Sequence, residues 1–260
     1  MSILQNINRN GNFSSSEIFA LNTLSRDKKS FGAPALTYIK KKNQERRLGR
    51  SIQTESNARP LTWGKTLEAR VFDLLGLEYS LLSLETIVHP KYNFWCGSAD
   101  GKKENTIIDI KCPITLDSFC DLVDPLYDGL VGIDAMNQIR DNHKSGEQYY
   151  WQLVSNAILN NCDYAELIVY MPYASEITEI KKEVDGIPNC YWIAMAGEDE
   201  LPFIKDGGFY KNLNIIRFEV PEEDKTLLTE NVIKAGKMLV DHPSVVIAQY
   251  DSETNATIIE

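Results

Sequence analysis

Asp100, Asp109 and Lys111 are the side chains whose types and spacing suggest chemistry. Asp109 and Lys111 flank a single residue in Ile107-Ile-Asp-Ile-Lys111, and Asp100 lies shortly upstream in Gly97-Ser-Ala-Asp-Gly101. The stretch reads as a β-hairpin, with one arm from Trp95 to Asp100, a turn over 101–105 and a return arm from Thr106 to Lys111. Strand side chains alternate, so Ile107, Asp109 and Lys111 share one face while Thr106, Ile108 and Ile110 share the other. A carboxylate and an ammonium then stand side by side, with Asp100 on the neighbouring arm. Hard oxygen ligands for a Mg²⁺-like ion, plus a positive charge near an attacking water and a phosphate, are what metal-dependent phosphodiester hydrolysis requires. The bland alternative is an exposed hairpin carrying a surface ion pair, because a lone Asp-x-Lys is common.

The surrounding segments must decide between the two. Ser14-Ser-Ser-Glu-Ile offers serine caps, so a helix is expected to start near Ser15 or Ser16, where its amides and hydroxyls could hold a phosphate or simply cap. Pro34 opens a second helix, Ala35 to about Arg47, carrying Lys40, Lys41, Arg46 and Arg47. This basic strip is either a solvated helix face or a DNA contact. Leu67, Val71, Leu74 and Leu75 give the next helix its apolar face, with Thr62 as cap and Gly76 as stop. Glu68 sits beside that face, as a border residue or as a ligand. A strand over Ser83 to His89 precedes the hairpin, and a helix follows from about Thr115. Residues 117–146 read as a loop or short helices. Gly146 to Leu159 reads as a helix that brings Tyr149, Gln152, Leu153, Asn156 and Leu159 or Asn160 near one another. Asp163 to Met171 reads as a buried strand, 174–212 as a small β addition, Asn214 to Val220 as a strand, and Glu222 to Val240 as an amphipathic helix. Residues 1–12 read as a loose lead-in.

Composition bounds the rest. The 260 residues, 43% hydrophobic and 25% charged, are ordinary for a globular protein and long enough for one large core, or for one domain with an added lobe. No apolar run is long enough to span a membrane, and the start lacks the features of a secretory signal, so a cytoplasmic protein is expected. The cysteines (Cys96, Cys112, Cys120, Cys162, Cys190) are scattered, without a Cys-x-x-Cys pair, and read as reduced thiols. His89, His143 and His242 share no metal-ligand spacing and read as structural. The net charge of −10 opposes nucleic-acid binding in general, although a local basic strip on an acidic protein can still bind DNA in a cleft or ring.

The order of elements is that of an α/β or α+β sheet flanked by helices. Trp63-Gly-x-x-x-Glu68, Gly97-Ser-x-Asp100-Gly, Ile107-Ile-Asp-Ile-Lys-Cys-Pro113 and Tyr149-x-x-Gln152, preceded by Ser14-Ser-Ser-Glu-Ile, together resemble the PD-(D/E)XK nucleases. Within them the similarity is to the phage lambda exonuclease and YqaJ-type viral recombinase branch, over residues 11–172. The resemblance implies a restriction-endonuclease-like core with a central mixed sheet, in one nuclease domain over 1–260. Its parts would be an N-terminal helical region (1–60), a catalytic core (61–172), and a β addition with a C-terminal helix (173–260). It further implies that Glu68, Asp100, Asp109 and the Ile110 carbonyl hold one or two Mg²⁺ or Mn²⁺ ions. Lys111 would orient or help deprotonate the attacking water, Gln152 and Tyr149 would complete the site, and Ser16, or else Ser15, would bind a 5′-phosphate. The implied activity is 5′→3′ exonuclease action on double-stranded DNA ends in phage-type recombination, in a bacterial or phage-infected cell. Implied partners are a single-strand annealing protein and further copies of the chain in a trimeric ring. Asp109 stands where close relatives more often carry Glu, a change within the wider family's pattern. An endonuclease on the same fold, or a non-catalytic binding module, are the alternatives.

Overall fold

The structure, a computed structural model, describes residues 9–52, 58–76, 78–81, 86–240, 249–251 and 256–258. At its centre is a five-stranded mixed sheet built from β2 (Ser80–Leu81), β5 (Gly101–Lys103), β6 (Thr106–Lys111), β7 (Tyr164–Tyr170) and β8 (Leu213–Glu219), in that spatial order. Only β6 and β7 run parallel, pairing Asp109 with Leu167 and Lys111 with Val169. Their crossover consists of three helices: α3 (Leu116–Tyr127), α4 (Gly132–Asn142) and α5 (Gly146–Asn160). A second small sheet joins β1 (Phe13–Ser14), β4 (Trp95–Gly97) and β3 (Ile87–Val88), with β4 in the middle.

The alternation read from the sequence places β6 between two cores. Ile107, with Ala165, Leu167 and Val169 of β7, packs against α3, α4 and α5. Ile108 and Ile110, with Ile168 and Tyr170, pack against α2 (Arg59–Leu75) through Trp63, Leu67 and Val71. The sheet is therefore covered by helices on both faces, a mixed α/β fold as expected. Asp109 and Lys111 share the face of Ile107, toward α5.

Several local expectations are corrected. The hairpin is tighter than read: the β5–β6 ladder runs over 101–108 with its turn at Glu104-Asn105, while Trp95 to Gly97 belong to the other sheet. Ser14 to Ser16 do not open a helix. Ser14 ends β1, and the short 3₁₀ turn Ile18–Asn22 begins after Glu17 with no side-chain cap. Thr62 lies inside α2 and donates its hydroxyl to the Ala58 carbonyl at 3.4 Å instead of capping. Residues 116–142 form two full helices, with Thr115 capping the first through the Ser118 amide. Between 174 and 200 the described structure is helical, including α6 (Ile177–Glu183) and α7 (Tyr191–Met195), where a β addition was expected. The C-terminal helix α8 spans Glu222–Gly236, shorter than its apolar pattern suggested, and β9 (Gln249–Asp251) pairs with β10 (Ala256–Ile258). Residues 9–12 are pinned, not loose: Arg46 of α1 (Ala33–Leu48) donates to the Gly11 carbonyl at 2.8 Å and to Asn12 Oδ1 at 3.1 Å. All five cysteines are free, and no helix among the described residues is long and apolar enough to cross a membrane. Part of the expected 83–89 strand, and His242, lie outside the described residues.

Candidate active site

Asp109 is fully buried, and its two oxygens are treated differently. Oδ1 accepts from Gln152 Nε2 of α5 at 2.8 Å. Oδ2 meets Lys111 Nζ at 2.5 Å as an ion pair and has no further partner among the described residues. Asp100 lies one residue before β5, where the ladder stops. Its Oδ2 accepts the Ile110 N–H at 2.7 Å, a donor that a continued β5–β6 ladder would have used. The side chain of Ile110 belongs to the core under α2, so only its main chain faces the site. Lys111 Nζ also lies over the Tyr149 ring, 4.7 Å from its centroid, and that ring stacks on His143 at 5.4 Å. A strand and one helix thus supply Asp109, Lys111, Tyr149 and Gln152, with Asp100 on the hairpin's incoming arm.

Electrostatics ties Glu68 to this group. Burial, and then the charge of Asp109, raise the Glu68 carboxyl above its ordinary range, although no hydrogen bond or ion pair joins Glu68 to a described residue. Burial and the charges of Asp109 and Glu68 push Asp100 up to about 8, against the opposing pull of Lys111. Burial would lower the Lys111 ammonium, but Asp109 and Asp100 outweigh it and hold it above the usual lysine range. Three carboxyls against one ammonium leave a surplus of negative charge, which a proton or a divalent cation relieves. Among the described residues no three His, Cys, Asp or Glu side chains stand as a ready metal cluster. Asp100 is turned onto the Ile110 amide, and Asp109 onto Gln152 and Lys111. The Glu68 carboxylate, with no hydrogen bond or ion pair among the described residues, and the all-oxygen donor set nonetheless suit a hard cation.

The serines divide. Ser15 is buried, with its Oγ 2.8 Å from Ser155 Oγ, which also accepts from Trp95 Nε1 at 2.9 Å. Ser16 stays half-buried, and its carbonyl accepts from Gln148 Nε2 of α5 at 2.9 Å. Around them Gly97 is required: a Cβ there would lie 2.1 Å from Ser15 Oγ and 2.5 Å from Asn156 Oδ1. The basic strip divides as well. Lys41 pairs with Glu17 at 2.8 Å, and Arg46 is spent on main-chain carbonyls, while Lys40 and Arg47 are exposed.

Sequence reasoning missed Arg9, whose guanidinium donates to Thr86 Oγ1 at 3.2 Å and, at 2.7 Å, to Oγ of Ser98, which is two residues before Asp100. It also missed Gln148, Ser155 and Asn156 as partners of the serine segment and of β4. Their spacing on α5 with Tyr149 and Gln152, a polar stripe in a largely buried helix, is a signal that could have found them.

No family model matches the chain, and no curated protein does. Among solved structures, a phage-related exonuclease from Haemophilus somnus 129PT is similar with a TM-score of 0.58 and 14% identity, over 87% of this chain and 92% of that one. An alkaline exonuclease from Laribacter hongkongensis is similar with a TM-score of 0.50 and 14% identity, over 88% of this chain and 90% of that one. The Laribacter enzyme in complex with dAMP gives 0.51 and 14%, over 90% and 92%. At such identity the likeness is one of architecture: this chain has the mixed α/β fold of these exonucleases.

Proposed function

We propose that the chain is a metal-dependent deoxyribonuclease, an exonuclease that hydrolyses double-stranded DNA from its 5′ ends in phage-type recombination. The observation that carries this reading is the meeting of Asp100, Asp109, Lys111 and Gln152 at the edge of β6, with Glu68 within the field of Asp109. Nothing in folding calls for such a convergence of buried charge. The shared fold supports it, and the Laribacter exonuclease in complex with dAMP supports a nucleotide substrate.

Glu68, Asp100, Asp109 and the Ile110 carbonyl would hold one or two Mg²⁺ or Mn²⁺ ions. The metal, when bound, supplies Lewis-acid activation of water and stabilisation of phosphate charge. Gln152 holds one oxygen of Asp109, and the other, paired with Lys111, would be the one to turn to a metal. Lys111, kept protonated by its two carboxylates, presents a fixed positive charge to the phosphate. Ser16 is the better placed serine for a 5′-phosphate, because Ser15 is buried on Ser155 while Ser16 is half-exposed with only a long hydroxyl contact, to Ser14 Oγ, among the described residues, and Arg9 beside Ser98 adds a cation. Lys40 and Arg47 are the members of the basic strip left to meet the DNA backbone. A trimeric ring around DNA and a single-strand annealing partner complete the proposal.

A gel time course on end-labelled linear duplex and on circular duplex, with Mg²⁺, Mn²⁺ or EDTA, tests it. Metal-dependent loss from 5′ ends, with the circle spared, is expected. Cutting of the circle would select an endonuclease. The −10 charge favours a non-catalytic binding protein as the second reading. Absence of cleavage with any divalent metal would select that reading.

A further inference from the structure

We propose that His143 is a positioning residue for Lys111, acting through the Tyr149 ring. Its consequence for cleavage rests on the nuclease reading above, while its geometry does not. Tyr149 has Lys111 Nζ 4.7 Å from its ring centroid and the His143 imidazole stacked on it at 5.4 Å and 25°. A lysine bears its charge on a flexible four-carbon stem, so an aromatic face that receives the ammonium limits where it points. That face is useful only if the tyrosine is itself held.

His143 is suited to hold it. It is 4% exposed and engaged at both ring nitrogens. Nδ1 accepts the Ser145 N–H at 3.1 Å, and Nε2 lies 2.8 Å from Ser118 Oγ. An accepting Nδ1 assigns the proton to Nε2, which donates to Ser118, so the ring is neutral. Ser118 lies in the first turn of α3 and Ser145 at the entry to α5, so two elements set the plane of the imidazole. The chain of contacts runs from Ser118 through His143 and Tyr149 to Lys111, joining α3 and α5 to β6. An imidazolium would have no acceptor for the Ser145 N–H and would set a second cation against the ring that receives Lys111. Burial keeps the imidazole below its ordinary range, with Asp121 opposing and Lys144 reinforcing.

A double-mutant cycle over His143→Ala and Tyr149→Ala, read by kcat and KM on linear duplex with Mn²⁺, tests the inference. NMR of the Lys111 side chain in the metal-free protein accompanies it. His143→Ala is expected to lower kcat by about 10-fold while KM for DNA stays within about twofold. The loss should vanish when Tyr149→Ala is already present, and His143→Phe, which restores a stacked ring, should recover most of it. The ring current of Tyr149 shifts the Lys111 Hε resonances upfield, an effect identified by its absence in Tyr149→Ala. It should be lost in His143→Ala and kept in His143→Phe. If His143→Ala does not melt cooperatively, His143→Gln, which keeps a donor for Ser118 but has no ring, takes its place. Additive losses in kcat, or Lys111 resonances unmoved by removal of the ring, overturn the inference. Failure of the wild-type protein to cleave with any divalent metal overturns the nuclease reading instead, and the resonances still decide whether His143 holds the pair.

Discussion

At the scale of single residues, the site is a contest between burial and charge. Asp100 has its carboxyl pushed from 3.8 up to about 8, first by burial and then by Asp109. In the metal-free fold it keeps a proton that the unfolded chain loses near its ordinary value. Its contribution to stability is therefore full below the unfolded value and is lost as pH rises through about 8. Asp100→Asn keeps an acceptor for the Ile110 N–H and cannot ionise. The metal-free variant is expected to gain in Tm over wild type, more at high pH than at low pH, in paired thermal melts. A difference that does not grow with pH contradicts this account. Lys111 carries the opposite sign. Lys111→Ala removes the cation that offsets Asp109 and Asp100, so calorimetry should find Mn²⁺ bound more tightly. Cleavage should still fall by roughly 100-fold or more, because the charge aimed at the phosphate is gone. Weaker Mn²⁺ binding together with wild-type cleavage would remove Lys111 from the site.

At the scale of elements, α5 is the helix on which the candidate site depends. Gln148, Tyr149, Gln152, Ser155 and Asn156 touch the serine segment, Lys111, Asp109, Trp95 and the Ser98 carbonyl in turn. Its seating depends on Gly146, where an added Cβ would lie 2.1 Å from the Ile139 carbonyl oxygen and 2.8 Å from the Arg140 Cα. Those atoms are backbone and cannot turn aside. Gly146→Ala is expected to cost about 1–3 kcal/mol in denaturant unfolding, and to weaken metal binding by displacing Gln152 from Asp109. Unchanged stability would mean that α5 shifts freely against α4. The helix, its register and the apolar alternation of β6 were legible in the sequence, because both periodicities are local. The serine segment was not. A run of serines before apolar residues reads as a cap, but here β1 pairs with β4 and the backbone stays extended to Ser14. Residues 174–200 misled for a related reason: Ile177 and Ile180 are buried against α2, a packing that short local patterns do not reveal.

At the scale of the whole molecule, the acidic balance of −10 makes the allocation of each basic residue matter. Arg46 joins distant parts of the chain, donating to Gly11 O, Asn12 Oδ1 and, at 3.1 Å, Val240 O. Arg46→Ala is expected to cost about 2 kcal/mol and to lower Tm by several degrees. Lys40→Ala and Arg47→Ala should leave Tm in place and weaken DNA binding. Each should reduce the salt dependence of affinity by about one counterion. Equal effects of all three on DNA binding, with none on Tm, would restore the whole strip as a DNA face.

Residue types and local periodicity were enough to indicate α1, α2, α5 and α8 and the alternation of β6, and the resemblance added to them the set Glu68, Asp100, Asp109, Lys111, Tyr149 and Gln152. The helices and the alternation follow from spacings of a few residues along one element. Only the tertiary structure decided that Asp109 Oδ1 belongs to Gln152, that Asp100 takes the Ile110 amide, that Ser15 is buried against Ser155 while Ser16 stays half-buried, and that Arg9 reaches Ser98. These are meetings between residues 10 to 140 positions apart. Which donor finds which acceptor depends on how β4, β6 and α5 pack, and burial then sets the charge that each carboxyl carries.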